Sequence, residues 1–313
     1  MRKYRRVTFE DRCLLKAYLE SRLTASEIER LMNFHKSTIA RELRRNSVGG
    51  RYVARGAQEL ARARFESCRR RIKLLGASLS LVRSKLEEGW SPEQISGRLR
   101  REKVLSISHE AIYRAIRADK QGGGRLFVLL RRPVKRAQSR YFCRFKQAEG
   151  LLNIRQRETI VNRRERLGDW ERDTIYGGSG RFLLVIVDRK TRYMKLGKPE
   201  GRKSSEIGQL TLELLRNKPV RTLTNDNGSE FKDHYMFNCP VYYCDPHKPQ
   251  QRGSVENTVG LLRQYVTRQT DLTRLSNSDI VNLERLMNNR PRKCLDYQTP
   301  NEVWSEELVA LAV

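Results

Sequence analysis

The sequence has no long hydrophobic run and no apolar leader at its start. The longest apolar run is six residues, 182–187 (FLLVIV), whereas a membrane-spanning helix needs about 20. The opening residues, MRKYRRVTFE, have no stretch that resembles the apolar core of a signal peptide. These absences argue against membrane insertion and secretion, so we expect a cytoplasmic protein that does not contact a membrane.

Cysteine is also sparse. The six cysteines lie scattered at positions 13, 68, 143, 239, 244 and 294, and without a secretory signal this pattern predicts free thiols. Cys239 and Cys244 together with His247 invite a zinc interpretation. Their spacing is looser than that of a zinc knuckle, however, and a fourth ligand is missing. We therefore predict neither disulfides nor a zinc site.

Acidic residues are too few to balance the basic ones. The 313 residues include 64 Lys and Arg against 36 Asp and Glu, a net charge of +28, and Arg outnumbers Lys by 47 to 17. Residues 1–150 hold +22 of this charge and residues 151–313 hold +6. The planar guanidinium of arginine can form two parallel hydrogen bonds with a phosphate, so this composition predicts a nucleic-acid partner. The uneven charge predicts that the first half binds the nucleic acid and that the second half carries out the chemistry.

The first half has the pattern of short helices in helix-turn-helix units. Thr8 and Thr24 are predicted to cap two helices, and a third helix is predicted at 36–45 with Ile39 and Leu43 on its inner face. A tight turn before the third helix is typical of a recognition helix that enters the major groove of DNA. The outward residues expected to contact DNA are Ser37, Thr38, Arg41, Arg44 and Arg45.

The same arrangement recurs further along the chain. Residues 90–95 (WSPEQI) combine Ser at a helix cap with Pro at the first helical position, and residues 109–117 follow as a second candidate recognition helix. Its outward residues, expected to contact DNA, are His109, Tyr113 and Arg114. A basic run between the two units is expected to follow the phosphate backbone, and it comprises Arg69, Arg70 and Arg71.

The second half changes to strand periodicity. Strands are predicted at 170–176, 181–188, 193–198, 220–225 and 241–244, and helices at 204–216, about 254–267 and 276–289. This order predicts an α/β domain with a mixed five-stranded sheet behind an all-α first half. The predicted divisions are a helix-turn-helix at 1–50, a basic helical connector at 51–75, a second helix-turn-helix-like domain at 76–125, a basic linker at 126–165 and the α/β core at 166–313.

Three acidic residues of the second half have positions suited to metal chemistry. Asp226 ends a predicted strand before Asn-Gly, Asp173 interrupts a strand although Asp is depleted there, and Glu256 lies in the first turn of a helix. Each alone has an ordinary explanation, namely a turn, an exposed edge and the helix dipole. Together they predict an oxygen-rich site for two Mg²⁺ ions, replaceable by Mn²⁺, that suits phosphodiester cleavage. The alternative acids are Asp169 and Glu230.

Seven short motifs in the second half carry a family resemblance. They are 168–175 (GDWERDTI), 223–231 (LTNDNGSEF), 243–246 (YCDP), 251–257 (QRGSVEN), 262–265 (LRQY), 289–292 (NRPR) and 297–300 (YQTP). In this order they resemble the retroviral-integrase-like core of bacterial DDE transposases, specifically the insertion-sequence family numbered thirty. The first helix-turn-helix and residues 90–95 also resemble that family, so the resemblance covers nearly the whole chain.

The resemblance implies a ribonuclease H-like core in which Asp173, Asp226 and Glu256 are both the catalytic residues and the metal ligands. It also implies that Arg263 touches the DNA ends. Arg172 stands where the family often has a small residue, which would place a cation beside Asp173.

The activity that the resemblance implies is transposition in a bacterial, nucleoid-associated setting. The protein would bind the terminal inverted repeats of its own element as double-stranded DNA, cut to a 3′-hydroxyl and join that end to target DNA. Because two ends must meet, a homodimer or a larger homo-oligomer is expected on DNA.

Two other functions stay open at this point. A sequence-specific DNA-binding regulator with an inactive integrase-like core would need only the first half, although acids at all three positions count against it. A ribonuclease H-type nuclease acting on hybrids would not need two helix-turn-helix units. Metal-dependent nicking would separate the transposase hypothesis from the regulator.

Overall fold

The computed structural model describes residues 5–67, 74, 76–131, 151–178, 180–246 and 248–312. The chain divides into two compact units, Met1–Lys73 and Leu74–Val313. No helix among the described residues is long and apolar enough to cross a membrane. Cys68 and Cys143 lie outside the described residues, and the cysteines described as free are Cys13, Cys239, Cys244 and Cys294.

The first unit consists of the helices α1 (Phe9–Glu20), α2 (Ala25–Met32), α3 (Lys36–Asn46) and α4 (Ala54–Ser67). Thr8 and Thr24 form capping boxes at the starts of α1 and α2, as the sequence predicts. Asn33 then adopts a left-handed conformation, which ends α2 and makes the tight turn into α3. Ile39 of α3 is 4% exposed within the core of this unit, so the predicted helix-turn-helix is confirmed.

Helix α4 lies in the segment predicted as a connector, and it packs within the first unit. Ala57 is fully buried, and Gln58 accepts a hydrogen bond from Arg12 of α1 at 2.7 Å. The Arg12 guanidinium also pairs with Glu42 of α3 at 2.8 Å. One arginine therefore ties α1, α3 and α4 together, a long-range arrangement that helical periodicity alone does not reveal.

The second unit begins with three helices that have their own apolar core: α5 (Ala77–Glu87), α6 (Pro92–Arg101) and α7 (His109–Gln121). Ser91 and Gln94 form the capping box of α6, and Pro92 occupies its first turn, as predicted. Ile112 of α7 is fully buried and Ile116 is 3% exposed. The second helix-turn-helix-like arrangement is thus present, with α7 in the position of a recognition helix.

This three-helix domain packs against the α/β domain of the same unit. Arg98 of α6 forms a bidentate ion pair with Glu302, and both hydrogen bonds measure 2.6 Å. Gly97 lies so close to Tyr297 that an added Cβ would sit 2.3 Å from the ring carbons. Since only glycine fits there, the close approach of the two domains depends on this residue.

We expect Glu302→Gln to weaken this domain contact and to lower the melting temperature at neutral pH. Hydrogen bonds from Arg98 lower the pKa of Glu302 to about 2, below the ~4.3 of an unfolded chain. The stabilisation is therefore fully present above pH ~4.3 and is lost as the pH falls through 2. Calorimetry should show a difference from wild type at pH 7 that closes in acid. The control Glu306→Gln on the same helix should show none, and a difference independent of pH would contradict the assignment.

The α/β domain is built on a six-stranded mixed sheet with the order β1-β6-β5-β2-β3-β4. β2, β3 and β4 form an antiparallel meander, and β5, β6 and β1 extend the sheet from β2 in parallel. This arrangement confirms the predicted ribonuclease H-like core. The strands are β1 (Leu152–Asn153), β2 (Asp169–Tyr176), β3 (Phe182–Asp188), β4 (Met194–Gly197), β5 (Thr222–Asn225) and β6 (Val241–Tyr243).

The predicted count of five strands is wrong by one. The additional strand is β1, which lies inside the predicted linker at 126–165 and pairs in parallel with Tyr242 and Tyr243 of β6. Two residues are too short to show alternation, and only the distant partner strand makes them a strand.

Helices cover both faces of this sheet: α8 (Thr159–Arg163), α9 (Ser204–Leu214), α10 (Gly253–Leu262), α11 (Asn277–Asn288) and α12 (Pro300–Ala312). Residues of α10 and α11 share one apolar core with β3, and residues of α9 and α12 contribute to the core on the opposite face. The predicted elements do not include α8 or α12. Trp304 of α12 packs on Trp170 with ring centroids 5.4 Å apart, and both rings are buried in this core.

Candidate active site and nucleic-acid interface

Asp173 lies on β2, and Asp226 directly follows the neighbouring parallel strand β5. β2 and β5 pair with Glu171 opposite Thr224, so the same register brings Asp173 beside Asp226 two residues later. Side chains alternate along a strand, and Glu171 accepts the Val255 amide of α10 at 2.8 Å. Asp173 therefore lies on the sheet face that α10 covers.

Arg252 connects these two carboxylates. Its guanidinium lies 3.4 Å from an oxygen of Asp173 and 3.3 Å from an oxygen of Asp226, and it donates to the Arg172 carbonyl at 2.9 Å. Burial raises the pKa of Asp173 to about 6, with Arg252 opposing and Asp226 reinforcing that rise. Burial favours loss of the Arg252 proton, but the two carboxylates outweigh it and raise the pKa of the guanidinium. The site thus holds a cation between two acids.

Arg252 is not among the site residues that the sequence predicts. A signal was present, because Arg252 immediately precedes the N-terminus of α10, where the helix dipole disfavours a positive charge. A cation at such a position indicates an acidic partner elsewhere in the fold. Which acid it meets depends on the pairing of β2 with β5, which is not visible locally.

The expectation that Arg172 places a cation beside Asp173 is wrong. Arg172 points to the opposite face of the sheet, where it is fully buried and forms a bidentate pair with Asp233, both contacts at 2.8 Å. It also donates to the Asn225 side chain at 2.8 Å. The reason is the period of two in a strand, which sends neighbouring side chains to opposite faces.

The other acids have different surroundings. Glu256 lies half-exposed in the first turn of α10, on the helix that covers the two aspartates. Burial raises the pKa of Glu230, and Asp226 adds to that rise. Asp169 is fully buried and bonded to Arg166 and Thr222. In the part of the chain that the structure describes, no three His, Cys, Asp or Glu side chains are gathered closely enough to hold a metal.

Cys244, one of the two cysteines considered in the zinc interpretation, lies near this site. Cys244 is 5% exposed, and burial raises the pKa of its thiol to about 12. His247, the third residue of the rejected zinc interpretation, lies outside the described residues.

The candidate DNA contacts of the first unit lie on α3. Arg41, Arg44 and Arg45 are exposed, whereas Ser37 and Thr38 are half-buried. A cleft of about 490 Å³ in this unit is lined on one side by residues of α3 and is strongly basic. The arginines that line it are Arg5, Arg6, Arg12, Arg41, Arg45, Arg62 and Arg64.

The remaining candidates lie elsewhere. On α7, His109 and Arg114 are exposed, and the Tyr113 ring meets that of His109 edge-on at 6.5 Å. Arg263 follows α10 and donates to the Tyr176 carbonyl at 2.7 Å, so part of its guanidinium has a structural role. The predicted backbone contacts Arg69, Arg70 and Arg71 lie outside the described residues.

Residues 3–46 match the family model of a helix-turn-helix domain. The transposase for insertion sequence element IS4351 of Bacteroides fragilis is 35% identical, over 96% of this chain and 95% of that protein. Transposase InsI for element IS30A of Escherichia coli (strain K12) is 34% identical, over 95% and 82%.

Among solved structures, the catalytic core domain of BIV integrase aligns with a TM-score of 0.36 and 18% identity, over 46% of this chain and 98% of that one. The two transposases are matched along nearly the whole of the chain, through both helix-turn-helix units and the α/β domain. The chain therefore belongs to the family of insertion-sequence transposases that includes those of IS4351 and IS30.

Proposed function

We propose that this transposase is a DDE enzyme whose Asp173, Asp226 and Glu256 hold Mg²⁺ for DNA cleavage and joining. The observation that carries the proposal is the Arg252 guanidinium held between Asp173 and Asp226. Asp173 and Asp226 lie close enough together to contact one positive charge, as they do with Arg252, so they could also contact one divalent ion. Carboxylate oxygens are ligands that suit Mg²⁺ and Mn²⁺. Glu256, on the covering helix, would have to move closer to the two aspartates to complete the donor set for two ions, because the three carboxylates are not gathered in this structure.

The protein groups of the site have distinct roles in this proposal. When bound, the ions supply activation of the attacking oxygen and stabilisation of the leaving oxygen. Asp173 and Asp226 present their oxygens from rigid neighbouring strands, which fixes where the reaction occurs. Arg252 keeps a positive charge beside them, available to the phosphate that is cut.

The proposed reaction has two steps at one site. Water attacks a phosphodiester at the end of the element and the P–O3′ bond breaks, which leaves a 3′-hydroxyl on the element and a 5′-phosphate on the flanking DNA. That hydroxyl then attacks a phosphodiester of the target DNA, forms a new P–O bond and releases a 3′-hydroxyl of the target strand. No bond between protein and DNA forms. The helix-turn-helix units would bind the terminal inverted repeats, and a homodimer or larger assembly would bring two ends together.

A cleavage assay tests the proposal. The substrate is duplex DNA with the two segments that flank the gene, incubated with Mg²⁺, Mn²⁺ or EDTA. We expect 3′-hydroxyl ends at defined positions with either metal and none in EDTA. Tight binding without cutting in either metal would overturn the enzyme assignment and favour the DNA-binding regulator.

The first recognition helix gives a separate prediction. Arg41 is exposed on α3, and its guanidinium donates to the Ser37 carbonyl and hydroxyl, both at 3.0 Å. If it pairs with a guanine edge, Arg41→Ala should cost about 1–3 kcal/mol of specific binding. Fluorescence anisotropy on the terminal repeat and on scrambled DNA of equal length would measure this. Equal losses on both would contradict base reading.

A further inference from the structure

A cavity of about 610 Å³ lies between the second helix-turn-helix domain and the α/β core, all within the second unit. One stripe of α10 forms a wall, and the 3-10 turn Lys293–Leu295 and the start of α6 contribute others. Neither Glu256 nor Asp173, Asp226 and Arg252 is among the residues that line the cavity. The α10 residues that line it are Gly253, Ser254, Asn257, Thr258 and Leu261.

The lining of the cavity is strongly basic. Among the described residues that line it, Glu93 is the single carboxylate, and it is already paired with Lys293 at 2.6 Å. Five cations are left without an acid in the lining, an arrangement that repels itself unless an anion enters. They are Arg131, Arg164, Arg192, Arg290 and Arg292.

Two of these arginines are buried and have no charged partner in the part of the chain that the structure describes. Arg292 is 5% exposed, donates to the Met287 carbonyl at 3.3 Å, and leaves Nε and Nη1 with no hydrogen-bond partner among the described residues. Arg290 is 1% exposed and bonds to the neutral amides of Gln94 and Gln264. Burial and the charge of Arg290 lower the pKa of Arg292 to about 10.

Further donors meet the cavity. Arg192 Nη1 and the Ser254 hydroxyl also lack a partner among the described residues. α10 also begins here at Gly253, but the buried Glu171 carboxylate already accepts its Val255 amide. Guanidinium donors and a hydroxyl that have no partner among the described residues therefore face one space.

We propose that this cavity binds a phosphodiester group of the DNA that is cut, an inference that rests on the proposed function. The planar guanidinium of arginine can donate two parallel hydrogen bonds to the oxygens of one phosphate. The five arginines of the lining have no acid among the described lining residues, because Glu93 is already paired with Lys293. DNA is the polyanion that the proposed reaction supplies. Because α10 begins at this cavity and carries Glu256 in its first turn, a strand held here is anchored next to the reacting site.

The test is DNA binding by the full chain in EDTA, so that it does not depend on cleavage. We expect Arg292→Met to weaken binding of the terminal-repeat duplex about 10- to 100-fold. The slope of log K against log salt should become shallower by about 1, the effect of one lost phosphate contact. Arg192→Met, a half-exposed position on the same cavity, should act in the same direction. The matched control is Arg274→Met, an exposed arginine outside the cavity.

A second readout separates binding from folding. Because Arg292 is a buried charge without an acid, Arg292→Met should leave the melting temperature of the free protein unchanged or raised. Inorganic phosphate, compared with chloride at equal ionic strength, should raise the melting temperature of wild type more than that of the variant.

The outcomes distinguish the alternatives. An unchanged salt slope in both cavity variants would overturn the inference, as would an equal loss in Arg274→Met. A response to free phosphate that is lost in Arg292→Met while DNA affinity stays unchanged would assign the cavity to a free anion instead. None of these results depends on cleavage. A failure of this inference can therefore be distinguished from a failure of the proposed function, which the cleavage assay tests.

Discussion

Asp226→Asn should bind the terminal repeats as tightly as wild type and cut neither strand. The change removes one negative charge from the Asp173–Asp226 pair and so weakens the hold on a divalent cation. A bound metal supplies several kcal/mol of transition-state stabilisation, and each ~1.4 kcal/mol is a factor of ten, so the rate should fall by at least about a thousandfold. Asp226 is half-exposed, and its Oδ1 accepts the Gly228 amide at 3.0 Å, a bond that Asn can keep.

Glu256 and Glu230 are the two candidates for the third catalytic carboxylate. Glu256→Gln should abolish cleavage to the same extent, whereas Glu230→Gln should cut at close to the wild-type rate. Both glutamates are half-exposed, so neither change removes a fully buried group. Single-turnover cleavage in Mg²⁺ and binding in EDTA should be measured for each variant. Loss of activity in Glu230→Gln with activity kept in Glu256→Gln would transfer the third role to Glu230.

Asp233→Asn should destabilise the α/β core by about 3–5 kcal/mol, the cost of leaving a buried guanidinium without its anion. Arg172 and Asp233 are both fully buried, and the pair is bidentate at 2.8 Å. The Arg172 guanidinium also lies about 5 Å from the Phe231 and Phe237 rings, which cannot replace the lost charge. Urea unfolding followed by tryptophan fluorescence would report it, since Trp170 lies in the same core.

Two controls separate the charge from the packing. Replacing the whole pair by Arg172→Met with Asp233→Leu should recover most of the loss, because an apolar pair of similar volume leaves no buried charge. Glu93→Gln, which breaks an exposed pair with Lys293, should cost less than about 1 kcal/mol. A loss for Asp233→Asn no larger than that of the exposed pair would refute the structural role assigned to it.

The elements that the sequence predicts correctly depend on short-range signals. Thr8, Thr24 and Ser91 form capping boxes with the third residue of the helix that follows, so each signal lies within four positions. β3 is a run of seven buried residues, and its length and composition are visible in the sequence. β1 escaped prediction because it has only two residues and exists through its pairing with β6.

The candidate site divides in the same way. That acids at 173 and 226 belong together follows from motif order and family resemblance, and the register of β2 with β5 brings them side by side. The sequence did not predict which acid pairs with Arg172 or with Arg252. Arg172, adjacent to Asp173 in the chain, faces away from it, while Arg252, far along the chain, lies against it. Placement of Glu256 as the third ligand stays a prediction.

By itself, the sequence determined most helices and most strands, the concentration of positive charge in the first half and the membership of the chain in a transposase family. Only the tertiary structure decided which charges meet: Arg252 with the two aspartates, Arg98 with Glu302, and Arg292 with no acid among the described residues. The physical reason is the separation along the chain of the residues that interact. Caps and periodicity act over a few residues, whereas an ion pair depends on which distant elements the core brings within about 4 Å.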